Sequence, residues 1–446
     1  MKKITLLCVG FTSLLSLQAQ QTYTYSNPAR AFQEGKEQYL QQQFSASEHS
    51  LQTYLQTADP SDKSKIQEAE YFIAANAYEL RQSDATALLK AYVEKYPGTS
   101  MLDNVKFRLG ILLFEQKQYT AAIKELDKVN IKKLNTSDEN LYHFALGYCY
   151  TAVNEFAKAR DQFKPLIGVE KYDKTANYYY GYSEYALGNY DTALPYFETI
   201  QNQPEFSPLA PYYIIQIYAK QKEYDKVKSY GKTILEINPN NPKNGEVHRI
   251  MGECAYRDQD YKLAAADFAK AFTSDKQLSR TSFYMWGMSC MQSGAYDQAV
   301  MPLTKVAGET DALGQNAYLA LGNAYTKTND RLKAQMAYAN AGKLTFDKGA
   351  QEEALYNYAL STYESNAQFG ETVKAFDNFL SIFPNSKYAD EINSRLATAL
   401  IQSKDYTAAL NAINKLKTSN AQVIAAKENI LFHLGVQQFD KKNYPG

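Results

Sequence analysis

Apolar residues recur three and four positions apart in segment after segment of this chain, and polar residues fill the positions between them. This spacing places the apolar side chains on one face of a helix, so it predicts a series of amphipathic α-helices. The helical segments come in pairs that are joined by short polar turns such as Lys117-Gln118 and Gly188-Asn189. Because these turns are short, we expect the two helices of each pair to run antiparallel.

Four positions recur in each pair at fixed spacing. A glycine is followed by an aromatic residue nine positions later, a small residue twelve positions later and a large apolar residue sixteen positions later. The full pattern occurs around Gly110, Gly147, Gly181, Gly252 and Gly287. Weaker copies occur around Gly35, Gly322, Tyr224, Phe369 and Tyr406, and one near Gln82 has an uncertain register. From Phe44 to Tyr444 the period averages about 36 residues, which predicts about twelve repeats.

The four positions have physical roles in a stack of helix pairs. No pair buries its apolar face alone, so neighbouring pairs must pack together. We expect the glycine and the small residue to let the two helices approach closely, and the hinge aromatic to fill the wedge between them. Pro97, Pro239 and Pro384 should end second helices. The predicted fold class is all-α, a right-handed α-solenoid of about twelve helix–turn–helix repeats.

This pattern resembles the tetratricopeptide repeat over roughly residues 30 to 446. The segments YPGTSMLDNVKFRLG and FPNSKYADEINSRLA place proline thirteen residues before the next glycine or alanine position. That arrangement looks like the repeats of bacterial outer-membrane assembly and Tol–Pal-associated proteins, although those short proteins carry few repeats. The resemblance implies a scaffold without catalytic activity, which binds a peptide or protein in a concave groove lined by the first helices.

The N-terminus has the layout of a secretory signal peptide over residues 1–20, with Lys2 and Lys3 before an apolar run and a small-residue exit. We expect a short linker over residues 21–30 and the repeats over residues 31–446. The last repeat begins at about residue 428 and contains Gly435 and Tyr444 at the repeat spacing, but it is incomplete, so we expect a truncated version of a longer repeat protein. The uncovered apolar face of that last helix should be the least protected part of the solenoid.

Composition and motifs give no indication of catalysis. Without Lys2 and Lys3 the chain keeps 46 basic residues against 48 acidic ones, so its charge of −2 does not favour nucleic acid. No later segment is apolar for long enough to span a membrane. Metal-binding, phosphate-loop and nucleophile-elbow motifs are absent from the sequence. We expect no cofactor or metal, and we expect free, buried thiols at Cys149, Cys254 and Cys290.

Two sets of polar residues are interpreted as structural. His143 and His248 both lie four residues before a repeat glycine, which favours half-buried packing positions over a metal site. Glu246, Arg249, Glu253 and Arg257 lie three or four residues apart, which favours an ion-pair ladder on one helix face. A role in reading a ligand is the alternative for this ladder.

Tyrosine is unusually frequent, with 38 residues against 21 Phe and one Trp. Tyr180 and Tyr190 occupy packing positions of the repeat. Tyr178, Tyr182 and Tyr185, which we call the tyrosine stripe, lie three before, one after and four after Gly181, on one face of a first helix. In proteins with this repeat those positions face the groove. Applied to neighbouring repeats, the rule predicts eight groove aromatics: Phe107, Phe114, Phe144, Tyr148, Tyr178, Tyr182, Tyr185 and Tyr212. The alternative is that these rings pack between adjacent first helices.

The sequence therefore predicts an exported, non-enzymatic scaffold, in the periplasm or at the outer membrane of a Gram-negative-type bacterium. It would bind a protein or peptide in its groove and act in assembly or maintenance of the cell envelope. A glycan-binding protein is the alternative from another class, because tyrosine faces stack on sugar rings. A third possibility is the sensor part of a longer receptor.

Overall fold

The protein is described by a computed structural model that covers residues 28–274, 277–365, 369–416 and 420–441. The predicted signal peptide, most of the linker, Tyr444 and Gly446 lie outside the described residues. The described residues form 23 α-helices and no β-strand, so the prediction of an all-α fold of helix pairs is confirmed. The chain divides into two compact units, of which unit 1 ends at Ile217 and unit 2 begins at Tyr218.

Unit 1 contains five complete helix pairs and most of an eleventh helix. Its helices are α1 (Pro28–Leu40), α2 (Phe44–Thr57), α3 (Lys63–Glu79), α4 (Ala85–Lys95), α5 (Leu102–Glu115), α6 (Tyr119–Leu126), α7 (Thr136–Ala152), α8 (Phe156–Phe163), α9 (Asp173–Ala186), α10 (Tyr190–Ile200) and α11 (Ala210–Lys220). Odd numbers are first helices of the repeat and even numbers are second helices. The division between the units falls inside α11.

Unit 2 continues the same alternation of first and second helices. Its further helices are α12 (Tyr224–Ile237), α13 (Asn244–Arg257), α14 (Tyr261–Ser274), α15 (Arg280–Gln292), α16 (Tyr296–Ala307), α17 (Ala312–Lys327), α18 (Arg331–Lys343), α19 (Lys348–Glu364), α20 (Phe369–Ile382), α21 (Ala389–Gln402), α22 (Tyr406–Ile413) and α23 (Ala421–Asp440). The helices α4, α12 and α20 each end two residues before Pro97, Pro239 and Pro384, as the sequence predicts.

The repeat glycine is a notch that receives the large apolar residue sixteen positions later. A Cβ atom added at Gly110 would lie 2.5 Å from Leu126 Cγ, and one at Gly252 would lie 3.2 Å from Phe268 Cγ. Leu126 and Phe268 are fully buried. The close approach of the two helices therefore depends on glycine, as expected, and the side chain that fills the wedge is the residue at the sixteenth position.

The hinge aromatics have a different place from the one predicted. Tyr119, Tyr190 and Tyr261 are each the first residue of a second helix, and each is only half-buried. A side chain at the start of a second helix lies beside the turn, away from the midpoint of the helix pair where the notch is. The expectation that the hinge aromatic fills the wedge is thus corrected.

A common turn joins the helices of most pairs. Two residues before the hinge, the backbone takes a positive φ, for example 60° at Lys117, 63° at Asn154 and 82° at Gly188. After Lys117, the amide of Gln118 donates to the carbonyl of Leu113 at 2.8 Å, and Lys117 itself donates to Phe114 at 2.9 Å. These two bonds form a Schellman motif, which satisfies the last carbonyls of the first helix and turns the chain back.

First helices lie on the inner side of each unit. In unit 1, α1, α3, α5 and α7 each contact the next first helix, whereas consecutive second helices make no comparable contact among the described residues. The same difference holds in unit 2 for α13, α15 and α17. Elements that approach one another more closely lie on the inside of a bend, so the inner face of unit 1 is built from its first helices.

Candidate functional site

The candidate site is the inner face of unit 1 between α5 and α11, where aromatic side chains of successive first helices meet. We call this surface the aromatic face. It is defined by Phe114, Phe144, Tyr148, the tyrosine stripe and Tyr212, which are seven of the eight aromatics that the sequence predicts for the groove. Each of the seven is half-buried.

Its first part is formed by α5 and α7. The ring of Phe114 lies 6.1 Å from Phe144 and 5.6 Å from Tyr148, in edge-on arrangements. Tyr148 continues the contact toward the next repeat, because its ring lies 5.4 Å from Tyr179 on α9. Edge-on pairs of this kind are favoured by the ring quadrupole and contribute about 0.5–1.5 kcal/mol beyond burial.

The tyrosine stripe converges on one residue of the next first helix. The ring of Tyr213 on α11 lies 6.2 Å from Tyr178, 5.7 Å from Tyr182 and 5.2 Å from Tyr185. Tyr212 lies 5.4 Å from Tyr213, and the hydroxyl of Tyr185 donates to Gln216 Oε1. The stripe therefore packs against α11 along one edge while each of its rings keeps part of its surface in solvent.

Tyr179 and Tyr213 are the residues that the sequence reasoning missed. Both lie two positions before the repeat glycine position, and both stack on the large apolar residue of the preceding repeat. Tyr179 stacks on Phe163 at 5.0 Å, and Tyr213 stacks on Phe197 at 4.8 Å. Burial raises the pKa of both phenols. An aromatic residue two positions before the repeat glycine can be recognised in the sequence. In this structure it is the ring that packs on the preceding repeat.

Phe107 differs from the other predicted groove residues. Its side chain is 2% exposed, so it belongs to the core and offers no surface to a ligand. The neighbouring α5 residues Leu109 and Ile111 are equally buried. In this repeat the position three before the glycine is covered by the surrounding helices, which is why its place in the groove has to be corrected. Of the two packing tyrosines, Tyr180 is buried and Tyr190 is half-buried.

The aromatic face carries little charge. On α7, α9 and the part of α11 in unit 1, the charged side chains are Asp138, Glu139, Asp173, Lys174 and Glu184. The helix α5 adds four more, of which Asp103, Arg108 and Glu115 are in ion pairs and Lys106 is the fourth. Of the residues on α7 and α9, Asp138, Glu139, Asp173 and Lys174 belong to the opening turns of their helices. Glu184 is buried and accepts a hydrogen bond from Asn189 Nδ2 at 2.6 Å. The face is therefore suited to a neutral ligand that makes apolar contacts and hydrogen bonds to phenol groups.

The two repeat histidines bond the second helix of their own pair. His143 Nδ1 lies 2.9 Å from Gln162 Oε1, and His248 Nδ1 lies 2.8 Å from Asp267 Oδ1. In both pairs the partner is nineteen residues further along the chain, so the histidines occupy one position of the repeat, as the sequence indicates. The described residues hold no group of three or more His, Cys, Asp or Glu side chains that could bind a metal ion.

Cys149, Cys254 and Cys290 are buried and unpaired, as expected. Burial raises the pKa of the Cys149 thiol to about 12, and those of Cys254 and Cys290 to about 11. Thiols with such pKa values are protonated at neutral pH and are poor nucleophiles.

The charged ladder of α13 is formed only in part. Arg249 pairs with Glu246 and Glu253, which raises the pKa of its guanidinium. Arg257 instead bonds Asp258 and lies over the ring of Tyr224 at 3.7 Å. Ser282 on the next first helix donates to Glu253 at 3.1 Å, so the ladder also links two repeats of unit 2.

Comparison with known proteins identifies the repeat. Residues 144–211, which include Phe144, Tyr148 and the whole tyrosine stripe, match a family model. The matching family is the tetratricopeptide repeat. No protein with a curated description matches the chain. Among the described residues, no helix is both long and apolar enough to cross a lipid bilayer.

Solved structures that are similar to the chain at low identity include two tetratricopeptide repeat proteins. YrrB, a tetratricopeptide repeat protein with an unusual peptide-binding site, is 17% identical over 44% of this chain and 96% of its own, with a TM-score of 0.35. A tetratricopeptide repeat protein from Parabacteroides merdae is 14% identical over 58% of this chain and 99% of its own, with a TM-score of 0.38. Naa15/Naa10 bound to HypK-THB is 11% identical over 93% of this chain and 66% of its own, with a TM-score of 0.42.

Proposed function

We propose that the protein is an exported, non-enzymatic scaffold that binds a peptide or protein segment on the aromatic face of unit 1. The observation that carries the proposal is the row of seven half-buried rings, contributed by four successive first helices. Interface hot spots are typically aromatic residues whose truncation costs at least about 2 kcal/mol each. Rings that are already fixed by their neighbours lose little conformational entropy on binding.

The proposal extends to the place of action, which rests on the sequence. The N-terminal residues have the layout of a signal peptide, and the proline spacing resembles that of cell-envelope repeat proteins. We therefore place the scaffold in the periplasm or at the outer membrane, with a role in assembling or maintaining the envelope. Fractionation of the native host should recover a mature chain whose N-terminus follows Ala19 or Gln20. A chain that keeps Met1 and stays in the cytosol would contradict the export.

Photo-crosslinking is the direct test of the binding face. A benzophenone amino acid in place of Tyr182 keeps an aromatic group on the face, and the same amino acid in place of exposed Thr192 on α10 is the matched control. Irradiation of living cells should give a discrete protein adduct from position 182 and none from position 192. Equal adducts from both positions, or none from position 182, would refute the proposal. An adduct that periodate destroys and protease does not would favour the glycan-binding alternative.

Substitutions separate binding from packing. Changing Tyr178, Tyr182 and Tyr185 together to phenylalanine keeps the contacts with Tyr213 and removes only the hydroxyl groups. Changing the same three residues to alanine removes the rings, and we expect capture of the crosslinked partner to fall more than tenfold, which corresponds to about 1.4 kcal/mol. Tyr256→Ala is the control. Tyr256 lies in unit 2, four residues after Gly252, as Tyr185 lies four residues after Gly181, and it is also half-buried. The rings serve packing alone if the phenylalanine variant keeps its melting temperature and the alanine variant loses as much free energy of unfolding as it loses free energy of binding.

A further inference from the structure

The turn between α3 and α4 fixes the register of the repeat that the sequence leaves uncertain. Arg81 has a positive φ of 53° and lies seven residues after Ala74, just as Lys117 has a φ of 60° and lies seven residues after Gly110. Ala74 therefore occupies the glycine position of α3. Seven residues before it lies Gln67, near the start of the helix.

In three other repeats, the residue seven before the glycine position bonds the segment that follows the second helix of its own pair. The carboxylate of Asp103 accepts from the amide of Asn130 at 2.9 Å. The guanidinium of Arg280 donates to Asp311 at 2.6 Å. The third residue is Gln315, which uses its side-chain amide. These bonds tie the start of the first helix to the chain that leaves the second.

Gln315 shows what a glutamine can hold at this position. Its Nε2 donates to the carbonyl of Leu344 at 2.7 Å, and its Oε1 accepts from the amide of Asp347 at 2.8 Å. The side-chain amide therefore uses its donor and its acceptor at the same time. Its partner at this position must present an acceptor and a donor close together.

Gln67 has no such partner in its own repeat. It is half-buried, and its side chain makes no hydrogen bond to the described residues. Beside it, between the start of α3, the end of α4 and residues 96–101, lies a cleft of about 460 Å³. Small-molecule sites have volumes of about 300–1,000 Å³ and carry a few placed polar groups, so the cleft has the size of a ligand site.

The rest of the cleft combines hydroxyl groups with an aromatic side. Ser64 and Ser100 line it and are exposed, and their side chains make no hydrogen bond to the described residues. Opposite in character are the half-buried ring of Tyr96 and the buried ring of Tyr92, which lie 5.0 Å apart. Groups that both donate and accept, next to an aromatic surface, suit a ligand with many hydroxyl groups and one apolar face.

The charges around the cleft are neutralised. Glu68 is the one charged side chain among the described residues that line it, and it forms an ion pair with Lys36. Next to Tyr96, Lys95 pairs with Glu70 at 2.7 Å. A charged ligand would find no opposite charge left over in these two pairs, so the ligand should be neutral.

We propose that this cleft binds a neutral mono- or disaccharide. One sugar hydroxyl accepts from Gln67 Nε2 and the adjacent hydroxyl donates to Gln67 Oε1, while the apolar face of the sugar ring lies against Tyr96. A peptide segment also presents donors and acceptors close together, but its side chains need apolar recesses, and Met101 is the one aliphatic side chain that lines the described cleft. The site is separate from the aromatic face, which begins at α5.

Saturation-transfer NMR of the mature protein tests the proposal with a panel of neutral hexoses, deoxyhexoses and pentoses and their disaccharides. We expect saturable binding of at least one sugar. Gln67→Ala removes both hydrogen bonds and should weaken that binding about tenfold. Asn140→Ala is the matched control, because Asn140 is a half-buried amide seven residues before Gly147, and it should leave binding unchanged. Removing either adjacent hydroxyl from the bound sugar should weaken binding several-fold in the wild-type protein and change it little in Gln67→Ala.

Four results would overturn the proposal. The first is that no sugar of the panel binds, and the second is that Gln67→Ala binds as well as the wild type. The third is Gln67-dependent binding of an alanine tripeptide without binding of any sugar, which would make a peptide the ligand. The fourth is sugar binding that survives Gln67→Ala and is lost when the tyrosine stripe is changed to alanine, which would place the sugar on the aromatic face.

Discussion

The close approach of the two helices in a pair makes a specific prediction about the repeat glycines. Gly287 lies on α15, and a Cβ atom added there would be 2.5 Å from Leu303 Cγ and 2.6 Å from Leu303 Cδ2. Carbon atoms attract one another best at about 3.5–4.0 Å, so the helices must separate by about 1 Å to accept Gly287→Ala. Overpacking of this kind costs about 1–3 kcal/mol in a packed core. Alanine returns about 0.8–1.0 kcal/mol of helix propensity, so we expect a net loss of about 1 kcal/mol.

Gly435 provides the matched control within unit 2. It lies inside α23, and nothing described is within 4 Å of its Cβ position, so Gly435→Ala should gain the helix propensity without the clash. The two substitutions are chemically identical, and the difference between their effects on unfolding free energy therefore measures the overpacking term. The compensated variant Gly287→Ala with Leu303→Val adds one carbon and removes another. It should recover about 1 kcal/mol relative to the sum of its single changes, as a favourable coupling in a double-mutant cycle.

Hydrogen exchange measured by mass spectrometry is the suitable assay, because the stability of a repeat protein is distributed over its repeats. The opening free energy of peptides from α15 and α16 should fall in Gly287→Ala and recover in the compensated variant. Peptides from α23 should become more protected in Gly435→Ala. If Gly287→Ala stabilises its repeat as much as Gly435→Ala does, the glycine is not a contact point and the reasoning about the notch is wrong.

Three further predictions concern unit packing, the thiols and acid stability. Phe268→Ala removes a fully buried ring and should lower the local unfolding free energy by about 3–5 kcal/mol. Tyr261→Ala removes a half-buried hinge ring and should lower it by only about 1–2 kcal/mol. Equal losses of protection from hydrogen exchange over α13 to α16 would contradict the conclusion that the hinge aromatic does not fill the wedge. The raised pKa values keep the buried thiols of Cys149, Cys254 and Cys290 protonated at about pH 8. Iodoacetamide should therefore label none of the three in the native protein and all of them in urea, as counted by mass spectrometry. Hydrogen bonds from Arg280 and the amide of Gly314 lower the pKa of Asp311 to about 2. The stabilising effect of the Asp311 carboxylate is therefore present above its unfolded pKa of about 3.9 and is lost as the pH falls toward 2. Asp311→Asn should flatten the dependence of the urea midpoint on pH between about pH 5 and pH 2.

The helical repeat could be predicted from the sequence because its determinants are local. The turn before Tyr119 needs a residue that tolerates positive φ, and the notch at Gly110 needs a glycine and a large residue sixteen positions later. Both requirements leave a periodic trace in one chain. The place of the hinge aromatic was predicted wrongly because periodicity shows that a position is constrained without showing which neighbour constrains it. Tyr119 and Leu126 recur equally well, yet only Leu126 lies in the notch.

The candidate site could be predicted only in outline. The positions of Tyr178, Tyr182 and Tyr185 on one helix face follow from helical geometry, but the burial of Phe107 depends on how several helices meet around it. The partner ring Tyr213 belongs to the next repeat, whose glycine is replaced by Ile215. Tyr179 in the full copy at Gly181 makes the same kind of contact, so the spacing within one repeat does not show which ring stacks on the preceding repeat.

Packing and binding are compatible roles for the tyrosine stripe. Each stripe ring touches Tyr213 along one edge, which fixes its orientation, and each remains partly accessible. A ring held in this way presents a rigid apolar surface and a phenol group at low entropic cost, which is what an aromatic anchor at an interface requires. The same contacts imply that a ligand on the aromatic face also stabilises the junction between α9 and α11, since any ligand that binds only the folded state raises its stability. Binding at this face and protection of α11 from hydrogen exchange should therefore rise together, and Tyr213→Ala should weaken both, although its ring is not part of the stripe.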